Sequence, residues 1–347
     1  MPWLFSCRHG CEATLRIELA RLGVGLSQTE VVVPGLLRAH IADPATSEAL
    51  RRWNPVYALQ VLPDVQAIAA LSVRGLAEAV VTLLPAAWDD WPGRWHVHTM
   101  VPGRFKGQPQ PAGAPRAALV RDAVHQALAR RQAGRAAAPG PGRIVQVLLT
   151  APDTAWVSYS PLVSECGALQ WPSPFVAGLA EPADDPAAPN SAFRKLREAL
   201  AWLGEPVRPG DVVVDLGASP GGWTHVLRNL GCAVTAVDRA PLTPELSADP
   251  LVTAVLGDAF AWQPLAPVAG MVCDVIAAPE RSCALLENWC RQRYMRWFVV
   301  HLKFKGDPDW AAVERAVASA TAASYACRAR HFFNDKNEVT VLGLARE

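Results

Sequence analysis

The stretch Val212-Val213-Val214-Asp215-Leu216-Gly217-Ala218-Ser219-Pro220-Gly221-Gly222-Trp223-Thr224 decides the fold of this chain. Its apolar run suits a buried strand, and Asp215-Leu216-Gly217 ends that strand. Pro220-Gly221-Gly222 then lets the backbone turn tightly and approach a ligand before a helix begins. Further on, Ala233-Val234-Thr235-Ala236-Val237 ends in Asp238. That is where the second strand of a doubly wound sheet places an acid against a ribose diol. The loop lacks the GxGxxG spacing that seats a pyrophosphate, so it favours a ligand with ribose but no phosphate. S-adenosylmethionine (SAM) is such a ligand.

Strand and helix alternate on either side of this stretch. A helix is expected over 192–203, strands over 212–215, 233–237, 252–256, 270–274 and 297–302, and helices over 222–230, 282–291 and 310–323. A last pair of strands falls near 326–333 and 338–344. Together these make an α/β, Rossmann-like, doubly wound sheet of about seven strands ending in an antiparallel hairpin. Residues 171–189 are rich in proline and read as a linker. Upstream the order is mixed: strand 3–6, helix 11–22, strand 31–39, a short helix at 45–52, strand 56–62 and an apolar-periodic helix within 65–84, best over 74–83. Strand 95–101, helix 115–133 and a hairpin of 144–149 with 155–159 follow. The pattern alone gives two α+β units over 1–60 and 61–170, a linker, and the α/β domain over 190–347.

In such a sheet the ligand lies at the carboxyl ends of the strands. Asp215, Asp238, Asp258 and Asp274 follow expected strands, Glu338 starts the last one, and Lys303 ends strand 297–302. The lysines carry a further signal. Of 33 basic residues only Lys106, Lys195, Lys303, Lys305 and Lys336 are lysine. Arg serves wherever a plain cation is wanted, so a retained Lys is a candidate for a role that needs a titratable amine.

DLGASPGGWT resembles the SAM motif DLGxxPGGWx of the FtsJ-like ribose 2'-O-methyltransferases. Within that family the chain resembles the RlmM type, which methylates a cytidine ribose in 23S rRNA. The similarity is strongest from about residue 188 onward and weaker at Ser6-Cys7-Arg8-His9-Gly10-Cys11-Glu12. The resemblance implies a ferredoxin-like domain over 1–60, an RNA-binding THUMP domain over 61–170 and a SAM-dependent methyltransferase domain over 190–347. It also implies a Lys-Asp-Lys-Glu tetrad, carried over onto Lys195, Asp274, Lys303 and Glu338. Lys305 competes with Lys303, and Asp335 with Glu338. The cofactor residues it implies are Asp215, Gly217, Ala218, Ser219, Pro220, Gly221, Gly222, Trp223, Asp238, Asp258 and Asp274. Trp223 reads equally as core and Asp258 nearly equally as a turn acid; His225 and His301 read as satisfied core histidines.

The tetrad suits the reaction. A ribose hydroxyl is a poor nucleophile, and a neutral Lys could take its proton during in-line attack on the sulfonium methyl. Lysine's ordinary pKa is about 10.4, so the amine must be pushed down. A second Lys, the sulfonium and burial push that way, while Asp274 and Glu338 orient the amines and push the other way. No metal is required.

Composition sets the remaining bounds. Half of the chain is apolar (51%), with no uninterrupted apolar run of the roughly 18 residues a membrane span needs. No signal peptide is visible. The eight cysteines include no CxxC pair. Cys7 and Cys11, four apart, could face a metal on a helix, but reduced thiols of a cytoplasmic protein explain them more simply. The net charge of +1 gives no global basic field. An RNA footprint would therefore be local, and Arg116, Arg121, Arg130, Arg131, Arg135 and Arg143 form its candidate patch, which a solvated helix face explains nearly as well. The expected partner is 23S rRNA, naked or partly assembled, with no membrane, metal or obligate protein partner. A tRNA or a capped RNA as substrate, an RNA-binding protein with a degenerate site, and a small-molecule methyltransferase are the alternatives. The intact loop and tetrad argue against the degenerate site, and residues 1–187 would be unexplained in a small-molecule enzyme.

Overall fold

A computed structural model describes residues 2–53, 55–88, 95–102, 113–131, 142–164 and 170–346. The chain divides into two compact units, one formed by Met1–Ser164 with Gln170–Leu179, the other running through Ala180–Glu347.

The first unit holds two four-stranded sheets. β1 (Pro2–Ser6), α1 (Glu12–Arg21), β2 (Thr29–Val33), β3 (Leu36–His40), α2 (Pro44–Trp53) and β4 (Gln60–Leu62) build the first, in the order β2-β3-β1-β4, all antiparallel. Trp3, Leu4 and Phe5 bury the central strand. Residues 31–39, expected as one strand, instead fold back at Pro34-Gly35 into β2 and β3. The Pro-Gly pair is a turn signal that the surrounding apolar run masks.

β5 (Gln66–Ala69), α3 (Val73–Leu83), β6 (Trp95–Met100), α4 (Ala114–Arg131), β7 (Arg143–Ala151) and β8 (Thr154–Pro161) build the second sheet, in the order β5-β8-β7-β6. Its core joins Leu76 and Val80 of α3 to Val120 and Val124 of α4 and to Val145, Val147 and Val157. The helix expected best over 74–83 forms as α3, and Ser72 caps its start by accepting a hydrogen bond from Gly75 N at 3.0 Å. Residues 66–69 before the cap are strand. The 144–149 and 155–159 hairpin forms as expected. Two short strands, β9 (Val163–Ser164) and β10 (Gln170–Trp171), pair with each other.

The second unit is the α/β domain. Its elements are α5 (Phe193–Leu203), β11 (Val212–Leu216), α6 (Gly222–Asn229), β12 (Ala233–Asp238), α7 (Pro244–Ser247), β13 (Val252–Leu256), β14 (Val268–Cys273) and α8 (Pro279–Arg291). β15 (Met295–Lys303), α9 (Trp310–Ala322), β16 (Tyr325–Arg330) and β17 (Glu338–Ala345) complete it. The seven strands take the order β13-β12-β11-β14-β15-β17-β16. The first five are parallel, and β17 runs antiparallel between β15 and β16. Near-continuous apolar runs in β11 and β15 suit strands covered on both faces. Strand order reverses between β11 and β14, so a crevice opens at their carboxyl ends. The pairing of β15 with β17 sets Lys303 directly opposite Glu338.

Candidate active site

At that reversal lies a cleft of about 390 Å³, lined among others by Gly217, Ser219, Asp238, Asp258, Asp274 and Lys303. The volume is within the range of small-ligand sites. Gly217 takes φ +82°, and a Cβ on it would stand 2.7 Å from Val275 Cγ2 and 3.0 Å from Val275 N. Only glycine allows this backbone and this approach. A Cβ on Gly222 would meet Asn190 Oδ1 at 2.1 Å. Here the tight approach that the glycine-rich loop permits is to neighbouring protein.

Asp238 is held by two backbone donors, Ser219 N at 3.0 Å and Ala240 N at 2.9 Å. Asp258 accepts from Phe260 N at 3.0 Å and pairs with Arg239. Sequence reading overlooked the mouth of the cleft, where the Arg281 guanidinium lies 4.0 Å from the centre of the Phe260 ring. An aromatic two residues after Asp258 was the available signal.

Other loop residues stand behind the cleft rather than in its lining: Asp215, Ala218, Pro220, Gly221, Gly222 and Trp223. Asp215 is buried. Its Oδ2 accepts from Thr224 Oγ1 at 2.7 Å, its Oδ1 has no hydrogen-bond partner among the described residues, and burial pushes its carboxyl up to about 7. Trp223 is core: its indole N–H donates to Ala192 O at 2.9 Å and its ring packs edge-on against His301 at 4.9 Å.

The four tetrad residues meet at the cleft wall. Lys303 Nζ lies 2.7 Å from Asp274 Oδ1 and donates to Asp274 O at 2.8 Å. Lys195 Nζ pairs with Glu338 Oε1 and lies 4.0 Å from Asp274 Oδ2. Lys303 and Asp274 reach the cleft, and Lys195 and Glu338 stand behind them. α5 delivers Lys195, with Glu198 one turn on accepting hydrogen bonds from Phe333 N and Asn334 N at 3.1 Å each. Lys305 is exposed and outside the cluster. Asp335 is buried, accepting from Phe332 N and Thr340 Oγ1 at 2.9 Å each, which closes the turn between β16 and β17.

His301 is fully buried, and its Nδ1 lies 2.8 Å from Asp274 Oδ1 and 3.5 Å from Glu338 Oε2. Read as a core histidine, it is also bonded to the tetrad. The missed signal was its position two residues before Lys303, on the same face of a strand.

The charges lock together. Burial would raise Asp274, but the charge of His301 and its hydrogen bond, then Lys195 and Lys303, hold it down at about 2. Glu338 is lowered against burial by His301 and Lys195. Burial would lower Lys195, but Asp274 and Glu338 together raise it, so this amine stays protonated. The imidazole of His301 would be depressed by burial, yet Asp274, Glu338 and Asp335 hold it up at about 9. Donor atoms of Asp274, His301 and Glu338 lie within 4.8 Å of one another, a spacing open to a metal ion. The protonated amine of Lys195 already pairs with two of these carboxylates, Asp274 and Glu338.

The arginine patch is placed unevenly. Arg131 donates to Val81 O at 2.6 Å, tying down the end of α3, and the Arg143 guanidinium lies 4.1 Å from the centre of the Trp88 ring. Arg121 and Arg130 are exposed on α4 and Arg116 is half-buried there, with Arg116 donating to Pro152 O and Arg121 paired to Asp122. Arg135 lies outside the described residues. His225 bonds Asp185 at 2.9 Å, away from the tetrad. Cys7 is buried and Cys11 partly so, both as free thiols. Among the described residues no helix is long and apolar enough to cross a membrane.

Residues 189–289 match the FtsJ-like methyltransferase family. Ribosomal RNA large subunit methyltransferase M of Alkalilimnicola ehrlichii is 31% identical, over 98% of this chain and 93% of that protein. Its namesake in Halorhodospira halophila is 37% identical over 44% of this chain and 46% of its own length, and that of Thauera aminoaromatica 33% over 57% and 55%.

Proposed function

The chain belongs to the family of ribosomal RNA large subunit methyltransferase M, and on that premise we propose that it transfers the methyl group of SAM to a ribose 2'-hydroxyl of large-subunit rRNA. The observation that carries the reading is the run Lys303–Asp274–Lys195–Glu338 at the wall of a cleft whose opposite rim carries Asp238.

The cleft fits SAM by its donor set. Asp238, with its carboxylate fixed by two backbone N–H groups, would take the ribose diol. Asp258 and the Phe260–Arg281 pair would take the adenine, and Gly217 and Ser219 would form the floor. When bound, SAM supplies an electrophilic methyl on a sulfonium. Everything else falls to the chain. Asp274 grips the Lys303 amine through both its carboxylate and its carbonyl, which fixes the amine at the cleft. In its neutral form Lys303 accepts the proton of the attacking hydroxyl. Lys195, kept protonated, bridges the carboxylates of Asp274 and Glu338. Positioning of the hydroxyl beside the amine contributes at least as much as proton removal.

The upstream half has the proposed division 1–60 as a ferredoxin-like domain and 61–170 as a THUMP-like RNA-binding domain, with the exposed arginines of α4 as part of the footprint. The substrate nucleotide is an unpaired cytidine in naked or partly assembled 23S rRNA, because its ribose must reach the cleft with its base out of a regular stack. This work belongs in the cytoplasm. The deciding experiment compares methyl transfer from labelled SAM to deproteinised 23S rRNA, intact large subunits and tRNA. Preference for deproteinised 23S rRNA supports the reading. Preference for tRNA, or equal activity on intact subunits, removes the substrate assignment, and no transfer to any RNA removes the enzyme.

A further inference from the structure

The buried ring at the centre of the cluster plays no part in the reaction as described. Three carboxylates surround His301. Asp274 Oδ1 lies 2.8 Å from Nδ1, Glu338 Oε2 lies 3.5 Å from the same nitrogen, and Asp335 Oδ1 lies 3.8 Å from Nε2. The amines facing these acids are Lys195 from α5 and Lys303 from the strand of His301 itself, His331 faces Asp335 from beyond β16, and the buried carboxyls of Glu198 and Asp215 stand near Asp335 and Asp274. The imidazole is thus the group that Asp274 and Glu338 share through a single nitrogen. Buried anions persist only when paired and hydrogen-bonded.

Asp274 Oδ1 is a shared acceptor, contacted by His301 Nδ1 at 2.8 Å and by Lys303 Nζ at 2.7 Å. The other side of the ring meets Trp223, whose indole N–H is fastened to Ala192 O, three residues before Lys195. One side chain therefore touches or adjoins every segment that brings a tetrad residue.

We propose that His301 is a positioning residue for the methyl transfer: it ties the carboxylates of Asp274 and Glu338 into one arrangement and, through Asp274, fixes where Lys303 presents its amine to the cleft. This rests on the methyltransferase reading. Without the ring, Asp274 loses its buried donor and can turn, and Lys303 follows it. Small displacements of a reacting group are costly, on the order of 100-fold for about 1 Å.

The test uses the full chain with His301→Asn and His301→Leu. Asn places an amide N–H near the position of Nδ1 and keeps the donor without the charge; Leu keeps neither. Four quantities are read: kcat and KM on RNA, SAM affinity by calorimetry, the pH dependence of kcat, and the 15N spectrum of the imidazole in the unaltered chain. In His301→Leu, kcat falls by about 10–100-fold while RNA KM and SAM affinity stay unchanged, and His301→Asn recovers part of the loss. The acid limb of kcat, which reports the base Lys303, moves to higher pH in both variants, because the positive ring beside Asp274 is gone. The spectrum shows both ring nitrogens protonated at neutral pH. Unchanged kcat and pH profile in both variants would overturn the proposal, as would a ring without a proton on Nδ1. If His301→Leu does not fold, His301→Asn and the spectrum decide. An unaltered chain inactive on every RNA counts against the methyltransferase reading instead, and the ring spectrum still reports whether His301 holds Asp274.

Discussion

Gly217→Ala tests the loop more sharply than any change to a charged group. The residue sits at φ +82°, where an L side chain costs about 1–2 kcal/mol. The added methyl would also stand 2.7 Å from Val275 Cγ2, 3.0 Å from Val275 N and 3.1 Å from Val275 Cα. Two of those atoms are backbone and cannot swing aside, so overpacking adds about 1–3 kcal/mol. The sum, about 2–5 kcal/mol, lowers the melting temperature of a domain this size by about 2–4 °C per kcal/mol. Gly257 is the internal control. It lines the same cleft, takes no left-handed φ, and a methyl added to it would have no atom within 4 Å; Gly257→Ala therefore stays within about 0.5 kcal/mol. Thermal unfolding by circular dichroism reads both. Equal stability of the two variants, or a Gly217→Ala chain that melts with the unaltered one, would refute the assignment of this glycine to close packing against Val275.

Lys303→Arg should lose methyl transfer by at least about 100-fold while SAM binding persists, since Arg retains its proton, whereas Lys305→Ala stays active; the reverse pattern in a labelled-SAM assay would transfer the base role to Lys305. Asp238→Ala should weaken SAM binding by about 1–3 kcal/mol in calorimetry. Stability should fall as pH rises from mildly acid to alkaline. His301 is raised to about 9, so its contribution is full below its unfolded value of about 6.5 and is lost as pH passes 9. Asp215, raised to about 7, contributes in the same direction between its unfolded value of about 3.9 and 7. Asp274 opposes only in strong acid, losing its contribution as pH falls from about 3.9 through 2. Urea midpoints across this range check the slope, and a midpoint rising from neutral toward pH 9 would contradict it. Replacing Arg116, Arg121 and Arg130 together by Gln should reduce the slope of log RNA affinity against log salt by about 2–3, at roughly 0.7–0.9 per phosphate contact; an unchanged slope removes these arginines from the footprint.

The α/β half was legible because its signals are local and redundant. An apolar run, a glycine loop and an acid after the next strand recur with little room for another fold, and all seven strands lie where the alternation puts them. Upstream, short strands escaped. Residues 66–69 carry no strand signal of their own beside the helix that Ser72 starts, and Pro34-Gly35 is hidden inside an apolar stretch. At the site, the sequence could name Lys303 and Glu338 but not choose between Lys303 and Lys305. The choice depends on the register that pairs Lys303 with Glu338, a contact between distant segments. Burial was equally invisible. Nothing in the wording distinguishes Asp215, sealed behind the loop, from Asp238 on the rim, or shows that Arg131 serves as a helix tie.

The placement of β17 between β15 and β16 bears on the order of synthesis. A growing chain makes β16 before β17, yet the two earlier strands have no partnership with each other until β17 slides between them. Until residues 338–345 leave the ribosome, both strands present open edges, which invite pairing with other chains. The same segment carries Glu338, so the nascent domain holds Lys195 without the nearer of its two ion-pair partners until that moment. Closure of the sheet and completion of the site are thus one event, and a chain interrupted before it leaves an aggregation-prone edge and an unfinished site together.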